Sequence, residues 1–280
     1  MTIEDARRWY AEEIRAVAHL TSDAVVEALA RVPREAFLGA GPWQIPRSPE
    51  LAPHYRVTPD ADPRHLYHNV LVAIDPARQL HNGLPSALAL WIEAADVRPG
   101  DRVLHIGAGL GYYTAILAEL AGPTGRVVGY EVDAALAARA EAALRPWPTV
   151  RIEAGDAAAP AGPFDAIFVN AGCTHPRPDW LAALAPGGRL VIPLTVSLPG
   201  LMHSMGAMVR AERRDPRWPA AVVSPCGIYH CTNARDPDHE AELRKVLGSI
   251  AKTRPTAAVV EPHERGAACL VHLPGFCLQA

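Results

Sequence analysis

The sequence predicts an α/β fold, doubly wound about a mostly parallel sheet, and three observations carry that expectation. Between residues 100 and 194, short apolar runs alternate with helical patterns. Runs such as "FDAIFV" and "RLVIPL" are apolar nearly throughout, as strands covered on both faces are. The first run leads straight into glycines at every second position, "GAGLG", and then into a helix-like stretch. In an open parallel sheet, ligands bind at such strand-to-helix turns, beyond the carboxyl ends of the strands.

Residues 1–99 are expected to form an N-terminal helical and lid segment. "IEDARRWYAEEIRAVAHL" has helical periodicity, and Ser22 or Asp23 could cap a second helix that Pro33 ends. The stretch "GAGPWQIPRSPELAPHYRVTPDADPRHLYHN" is dense in proline and polar groups and reads as an ordered, irregular loop or lid. "VLVAID" reads as a short strand, and "PSALALWIEAADV" as a helix with proline in its first turn.

Residues 100–215 are expected to form the core. "RVLHIG", "RVVGYEV", "VRIEAG", "FDAIFVNAG" and "GRLVIPL" are its strands; "YYTAILAEL", "AALAARAEAAL" and "PDWLAAL" are its helices. Residues 216–280 are expected to complete or extend the sheet. "GAMVRAERR", at the end of the core segment, and "AAVVSPCGIYH" look like a hairpin at the sheet edge, and "DPDHEAELRKVLGSIAK" like a capped, exposed helix. "AACLVHLPGFCL" reads as one further strand, which Pro274 assigns to an edge or a bulge.

The totals narrow the function. A chain of 280 residues with 49% hydrophobic residues can bury a sizeable core. A net charge of -3 gives no basic footprint, so nucleic acid is not an expected partner. No window approaches 18 uninterrupted apolar residues, and the charged N-terminus lacks a signal core, so neither a membrane span nor secretion is expected. Cys173, Cys226, Cys231, Cys269 and Cys277, an odd number at irregular spacing, fit reduced thiols in the cytoplasm. "CGIYHC" brings Cys226, His230 and Cys231 close together, but without a second cluster at zinc-finger spacing, so no metal is expected.

What the glycine turn holds is decided by the strand ends around it. A dinucleotide fingerprint would need glycine at position 112, which is Tyr112, and no Gly-Lys-Ser/Thr of a Walker loop follows. Glu131 closes the second core strand, 24 residues after Gly107, where a carboxylate can accept from both ribose hydroxyls. Asp156 follows the third strand and can accept from an adenine amino group; Asn170 ends the fourth. Each strand end thus offers one polar group to one fragment of a nucleoside, and no group is placed to neutralise a pyrophosphate.

These residues resemble the class I S-adenosylmethionine-dependent methyltransferases. "VLHIGAGLGYYTA" looks like their glycine motif, "VVGYEVD" their acidic ribose motif and "GDA" their adenine motif, followed by "FDAIFVNAG" and "LAPGGRLVIP". Within that class the chain is most similar to the protein-L-isoaspartate O-methyltransferase family, through "ALARVPREAFL", "GLGYYTA", "APGGRLVIPL" and the helix start "HNGLPSALAL". The resemblance implies a Rossmann-like methyltransferase fold with a seven-stranded sheet, and S-adenosyl-L-methionine as cofactor. It implies cofactor contacts from His105, Gly107, Ala108, Gly109, Gly111, Tyr112, Glu131, Val132, Gly155, Asp156, Ala157 and Asn170. His81 and Asn82, just before the helix over the cofactor's methionine end, are the candidates for touching the cofactor or orienting the acceptor.

The implied reaction is O-methylation of a carboxylate on a peptide, protein or small molecule. Two departures bear on the acceptor. The family's repair enzymes carry Ser or Thr two residues before the helix-start proline, where this chain has Gly83 before Pro85; Ser86 could substitute for that hydroxyl. His105 stands where the class usually has an acidic residue. Both leave isoaspartate repair itself open. A hydroxyl- or amine-directed metabolite methyltransferase, another enzyme using the same cofactor, a non-catalytic module binding it, and an NAD-dependent oxidoreductase are the alternatives. One of Tyr112 and Tyr113 is expected in the core and the other along the cofactor, while His65, Tyr67 and His68 could line an acceptor pocket or sit in a solvated loop.

Overall fold

A computed structural model describes residues 1–47, 54–199, 203–273 and 275–280. The N-terminal segment begins with helix α1 (Ile3–Ala18), closed by a capping box in which Thr2 Oγ1 accepts from the Asp5 amide at 3.1 Å and Asp5 accepts from the Thr2 amide. Of the two cap candidates, Ser22 is the one that caps α2 (Asp23–Arg31), accepting from the Val25 amide. A short helix α3 (Glu35–Leu38) follows. The proline-rich stretch holds a small hairpin of β1 (Gln44–Pro46) and β2 (Tyr55–Val57), then a 3-10 turn over Pro63–Leu66. Strands β3 (Ala73–Asp75) and β4 (Leu80–His81) pair with each other, and α4 (Pro85–Ala95) starts on its proline as expected.

The core follows, strand and helix alternating except between β7 and β8, which a loop joins: β5 (Arg102–Ile106), α5 (Tyr112–Ala121), β6 (Arg126–Glu131), α6 (Ala134–Ala143), β7 (Val150–Ala154), β8 (Phe164–Val169), α7 (Pro178–Ala183) and β9 (Leu184–Ser197). Beyond it come β10 (His203–Glu212), β11 (Trp218–Tyr229), α8 (Pro237–Thr253), β12 (Ala257–Val259), β13 (Cys269–Leu273) and β14 (Phe276–Gln279). The sheet runs in the order β13-β14-β12-β11-β10-β9-β8-β5-β6-β7.

Burial alternates along the central strands, as period-two geometry requires. Val103, Ala166, Phe168 and Val191 face one apolar layer, packed under α1, α2, α4, α5 and α6. Leu104, Ile167, Val169, Leu190 and Ile192 face the other, with Trp180 of α7 and Leu243 of α8. Apolar residues on both faces are what a doubly wound sheet demands.

The sheet is larger and more mixed than expected. The pairs β6–β7, β5–β6, β5–β8 and β8–β9 are parallel, but every pair from β9 outward to β13 is antiparallel, and among the described residues the sheet has ten strands instead of seven. The β10–β11 hairpin is therefore interior, because the start of β11 pairs with β12 through Trp218–Ala258 and Pro219–Ala257. "AACLVHLPGFCL" is two strands, not one, folded as the outermost hairpin β13–β14. Pro274, expected at an edge or a bulge, lies outside the described residues.

Candidate functional site

The order of the sheet reverses between β5 and β8, since β5 leads to β6 on one side while β8 lies on the other. Such a switch point opens a crevice at the strands' carboxyl ends. Parallel register aligns those ends: Ile106 lies beside Tyr130 and Val169, and Glu131 beside Ala154. The next residues, Gly107, Val132, Gly155 and Asn170, therefore share one rim.

Gly107 is fixed there by its backbone. Its φ is +79°, and a Cβ would come within 2.8 Å of the Asn170 carbonyl oxygen. The Gly107 and Ala108 amides both donate to Tyr130 O at 2.9 Å, and the Asn170 amide donates to Ile106 O at 2.7 Å. Gly109 also has positive φ, +57°, but a Cβ there would meet nothing within 4 Å. So Gly107 is glycine because the protein approaches it, and Gly109 lies against open space on the crevice side. Gly111 is the N-cap of α5.

Glu131, only 8% exposed, ties the rim together. Its Oε2 accepts the Gly109 amide at 2.7 Å and its Oε1 the Asp133 amide at 3.0 Å. Each carboxylate oxygen keeps a further lone pair for a ligand. Beside it Val132 is 54% exposed, an apolar side chain left in solvent at the strand tip. Gly155 donates to Glu131 O at 2.9 Å. Asp156 is exposed and accepts the Ala158 amide at 3.1 Å, while Ala157 is buried with its carbonyl on Trp180 Nε1 at 2.9 Å. Asn170 Nδ2 donates to Gly107 O at 3.4 Å.

Two predicted cofactor contacts are corrected. Tyr112 is a core residue: it is 3% exposed, its ring packs edge-on to Phe37 at 5.7 Å, and its hydroxyl faces that of Tyr10 at 3.4 Å. Its place on the first turn of α5 turns it toward the N-terminal helices. The His105 ring is fully buried, with Nδ1 against Thr114 Oγ1 at 2.9 Å and Nε2 without a hydrogen-bond partner. Burial pulls its pKa down to about 3, so it is neutral. Tyr113 is buried as well, so neither tyrosine lies open along the crevice; its hydroxyl donates to Gly83 O at 3.3 Å.

That bond docks the 78–83 segment against the start of α5. A second tie is Arg78 Nη1 on Asp133 Oδ2 at 2.7 Å, and a third is the Tyr229 hydroxyl donating to Arg78 O. His81 lies in an aromatic row: its Nε2 is 2.9 Å from the Tyr55 hydroxyl, its ring stacks at 6.4 Å on His203, and His203 meets Tyr229 edge-on at 5.0 Å. Burial, with His203 second, lowers the His81 pKa to about 4. Asn82 Oδ1 accepts from the Val72 amide at 3.1 Å and Arg34 Nη2 at 3.2 Å, and its buried Nδ2 has no partner.

Gly83 explains the missing hydroxyl. Its φ is +82°, and a Cβ would lie 2.8 Å from Leu88 Cδ2 and 3.3 Å from the Tyr113 ring. Neither Ser nor Thr fits that position without displacement. The Ser86 amide donates to Asn69 Oδ1 at 3.0 Å as α4 begins.

Sequence reasoning missed Arg34 as a positioning residue. Its side chain is fully buried and donates to Leu66 O, His68 O, Val70 O and Asn82 Oδ1. One guanidinium thus gathers the carbonyls of the segment leading to His81 and Asn82. Tyr67 is corrected too: neither pocket-lining nor solvated, it is 3% exposed and its hydroxyl accepts from Arg7 Nε and the Arg34 amide and donates to Glu35. His65 pairs with Asp60 at 2.9 Å, and His68 is exposed. Cys226, His230 and Cys231 form no metal-type group: among the described residues, the group gathering such ligands is His263, Cys269, His272 and Cys277.

Comparison with known proteins finds the same fold and sequence pattern. The Protein-L-isoaspartate(D-aspartate) O-methyltransferase family profile matches residues 60–210. A Methylorubrum populi protein-L-isoaspartate O-methyltransferase is 36% identical over 217 residues, covering 76% of this chain and 88% of that protein. Its Ignicoccus hospitalis counterpart is 31% identical over 197 residues, covering 69% and 83%. A Plasmodium falciparum structure assigned to the same activity, in complex with S-adenosyl-L-homocysteine, superposes with a TM-score of 0.60 at 15% identity, covering 81% of this chain and 98% of that one.

Proposed function

The chain belongs to the protein-L-isoaspartate(D-aspartate) O-methyltransferase family, an S-adenosylmethionine-dependent enzyme class, and on that premise we propose that it methylates a carboxylate of a peptide or protein. The observation that carries the cofactor part of this reading is Glu131 at the tip of β6, which holds the Gly109 amide while each of its oxygens keeps a further lone pair; the acceptor class rests on the family. The rim fits the cofactor in its parts. Glu131 would take the ribose hydroxyls, exposed Val132 the adenine face, and Asp156 the adenine amino group. Gly107, Ala108, Gly109 and Asn170 would border the amino-acid portion, with the open Gly109 position leaving room for it.

S-adenosylmethionine supplies a methyl group on a positively charged sulfur, transferred when an electron-rich atom attacks in line. A carboxylate is ionised at neutral pH, so this acceptor needs no general base. The chain's part is then alignment and exclusion of water. The 78–83 segment, held by Tyr113, Asp133 and Tyr229, would form the wall between cofactor and acceptor. Asn82 Nδ2, buried and unpartnered, is a donor available to orient the acceptor carboxylate. His81, neutral with its pKa near 4, would accept or donate a hydrogen bond without adding charge.

The test is transfer of radiolabelled methyl to an isoaspartyl peptide and, in parallel, to an aspartyl peptide of the same sequence. Label that is lost at mildly alkaline pH is the expected ester. Label stable to alkali, or none on either peptide, contradicts carboxylate methylation. Because this chain has Gly83 where the repair enzymes carry a hydroxyl, and a side chain there would have to displace Leu88, the ratio between the two peptides shows whether repair specificity survives.

A further inference from the structure

The outermost hairpin carries a group of side chains that the methyl-transfer reading does not use. His263, in the loop after β12, Cys269 and His272 of β13, and Cys277 of β14 each place a ligand atom within 4.8 Å of the others. All four fall within residues 263–277, and among the described residues no carboxylate joins the group. We propose that these residues bind one zinc ion in a closed, structural His2Cys2 site.

The hairpin itself brings the ligands together. His272 pairs directly with Cys277 in the antiparallel register, so both point to one face. Cys269 lies three residues before His272 on the same strand, past a register shift between Cys269 and Val271. His263 reaches in from the loop, its Nε2 3.7 Å from Cys269 Sγ. A tetrahedral zinc with Zn–S near 2.3 Å and Zn–N near 2.05 Å spaces its ligand atoms about 3.3–3.8 Å apart. The group is thus within about 1 Å of closing on the ion.

The surroundings match a ligand sphere. His263 Nδ1 bonds to Glu261 O at 2.9 Å, which leaves Nε2 as its coordinating atom; metal-bound imidazoles are held this way by their other nitrogen. The Gly266 amide donates to Cys269 Sγ at 3.3 Å, a contact that favours a thiolate. The His263 and His272 rings are perpendicular, at 86° and 4.9 Å, and therefore not stacked on each other. His272 Nδ1 is buried with no hydrogen-bond partner, and Cys277 is buried.

The ligand chemistry selects the ion. Two imidazoles and two thiols suit zinc, and the absence of carboxylates from the group disfavours calcium and magnesium. On binding, both thiols lose their protons to solvent, and the two thiolates balance the charge of the divalent ion. Four protein ligands leave no open position, so the ion would cross-link β13, β14 and the loop after β12, and pin the edge of the sheet.

The test uses the full chain, stripped with a chelator under reducing conditions and reloaded with zinc or cobalt(II). The expected result is one metal per chain by elemental analysis. Cobalt should give intense tetrahedral visible bands and a thiolate-to-cobalt charge-transfer band. Cys269→Ser and His263→Gln should each weaken zinc binding at least tenfold in competition with a chelating dye. His263 sits on a loop, so its variant keeps the hairpin and separates metal loss from misfolding. Cys226→Ala, in β11, should keep full stoichiometry. A stripped protein with free thiols that takes up no zinc, or a six-coordinate cobalt spectrum, would each overturn the proposal. None of these readouts depends on methyl transfer.

Discussion

Glu131 Oε2 accepts the backbone amide of Gly109 at 2.7 Å, joining the tip of β6 to the turn after β5. Its other oxygen accepts the amide of Asp133, which N-caps α6 and meets Arg78. One carboxylate therefore shapes the glycine turn and, through Asp133, connects it to the segment bearing His81 and Asn82. The proposed cofactor contacts and the proposed acceptor wall share this anchor.

The two glycines of the turn should respond differently to alanine. Gly107→Ala combines positive φ with a Cβ 2.8 Å from a backbone oxygen, and should cost about 2–4 kcal/mol of stability. Gly109→Ala meets no neighbour, so it should cost only about 1–2 kcal/mol of stability for its backbone conformation. Its methyl would nonetheless intrude on the crevice and weaken cofactor binding. Urea unfolding and calorimetric titration of both variants separate the two effects; equal stability losses would contradict the assignment.

Arg34→Met should be destabilising, by about 2–4 kcal/mol, because it leaves the Leu66 carbonyl unpaired in the core, removes the donor to the part-buried carbonyls of His68 and Val70, and takes one of the two donors from Asn82 Oδ1. Proteolysis should then begin between residues 66 and 82. A variant as stable as the parent would show that the guanidinium does not organise this segment.

Gly83→Ser tests whether the missing hydroxyl can be restored. With φ of +82° and Leu88 Cδ2 at 2.8 Å from the new Cβ, it should lower stability by about 1–3 kcal/mol. It should not raise methylation of an isoaspartyl peptide. A stable variant with enhanced transfer would contradict the steric reading.

The depressed pKa of His81 has a definite sign for stability. In the unfolded chain this imidazole titrates near its ordinary value of 6.5, and in the folded protein near 4. Between these values the unfolded state binds more protons, so stability rises with pH across that window. The contribution is fully present above about pH 6.5 and is lost as pH falls through about 4; His105, held near 3, acts in the same direction. Imidazole proton shifts followed by NMR should show His81 neutral at pH 5.5, and titration near 6.5 would contradict its burial.

Much of the fold is legible in the sequence, for a physical reason. Core strands covered on both faces must be apolar nearly throughout, so β5, β8 and β9 stand out, and cap chemistry marks Ser22 and Pro85. The outer strands are harder to read. β12 has three residues, and β13 and β14 merge into one apolar run. The strand-tip residues Glu131, Asp156 and Asn170 are legible because each follows a strand. Tyr112 is not, since its position after the turn does not say which way α5 faces. Nothing in "VPREAF" marks Arg34 as wholly buried, because its partners are backbone carbonyls more than thirty residues away. The gathering of two His and two Cys within 263–277 is a signal the sequence does carry, at H-x5-C-x2-H-x4-C, a spacing unlike that of common zinc fingers.

Calorimetric titration of S-adenosylhomocysteine into the folded protein, beside its Glu131→Ala variant, tests the central claim most directly. One molecule should bind per chain, and the variant should bind it more weakly by about 1–3 kcal/mol through loss of buried hydrogen bonds to the ribose. No binding to the parent protein, or an unchanged dissociation constant in a variant that remains folded, would contradict it.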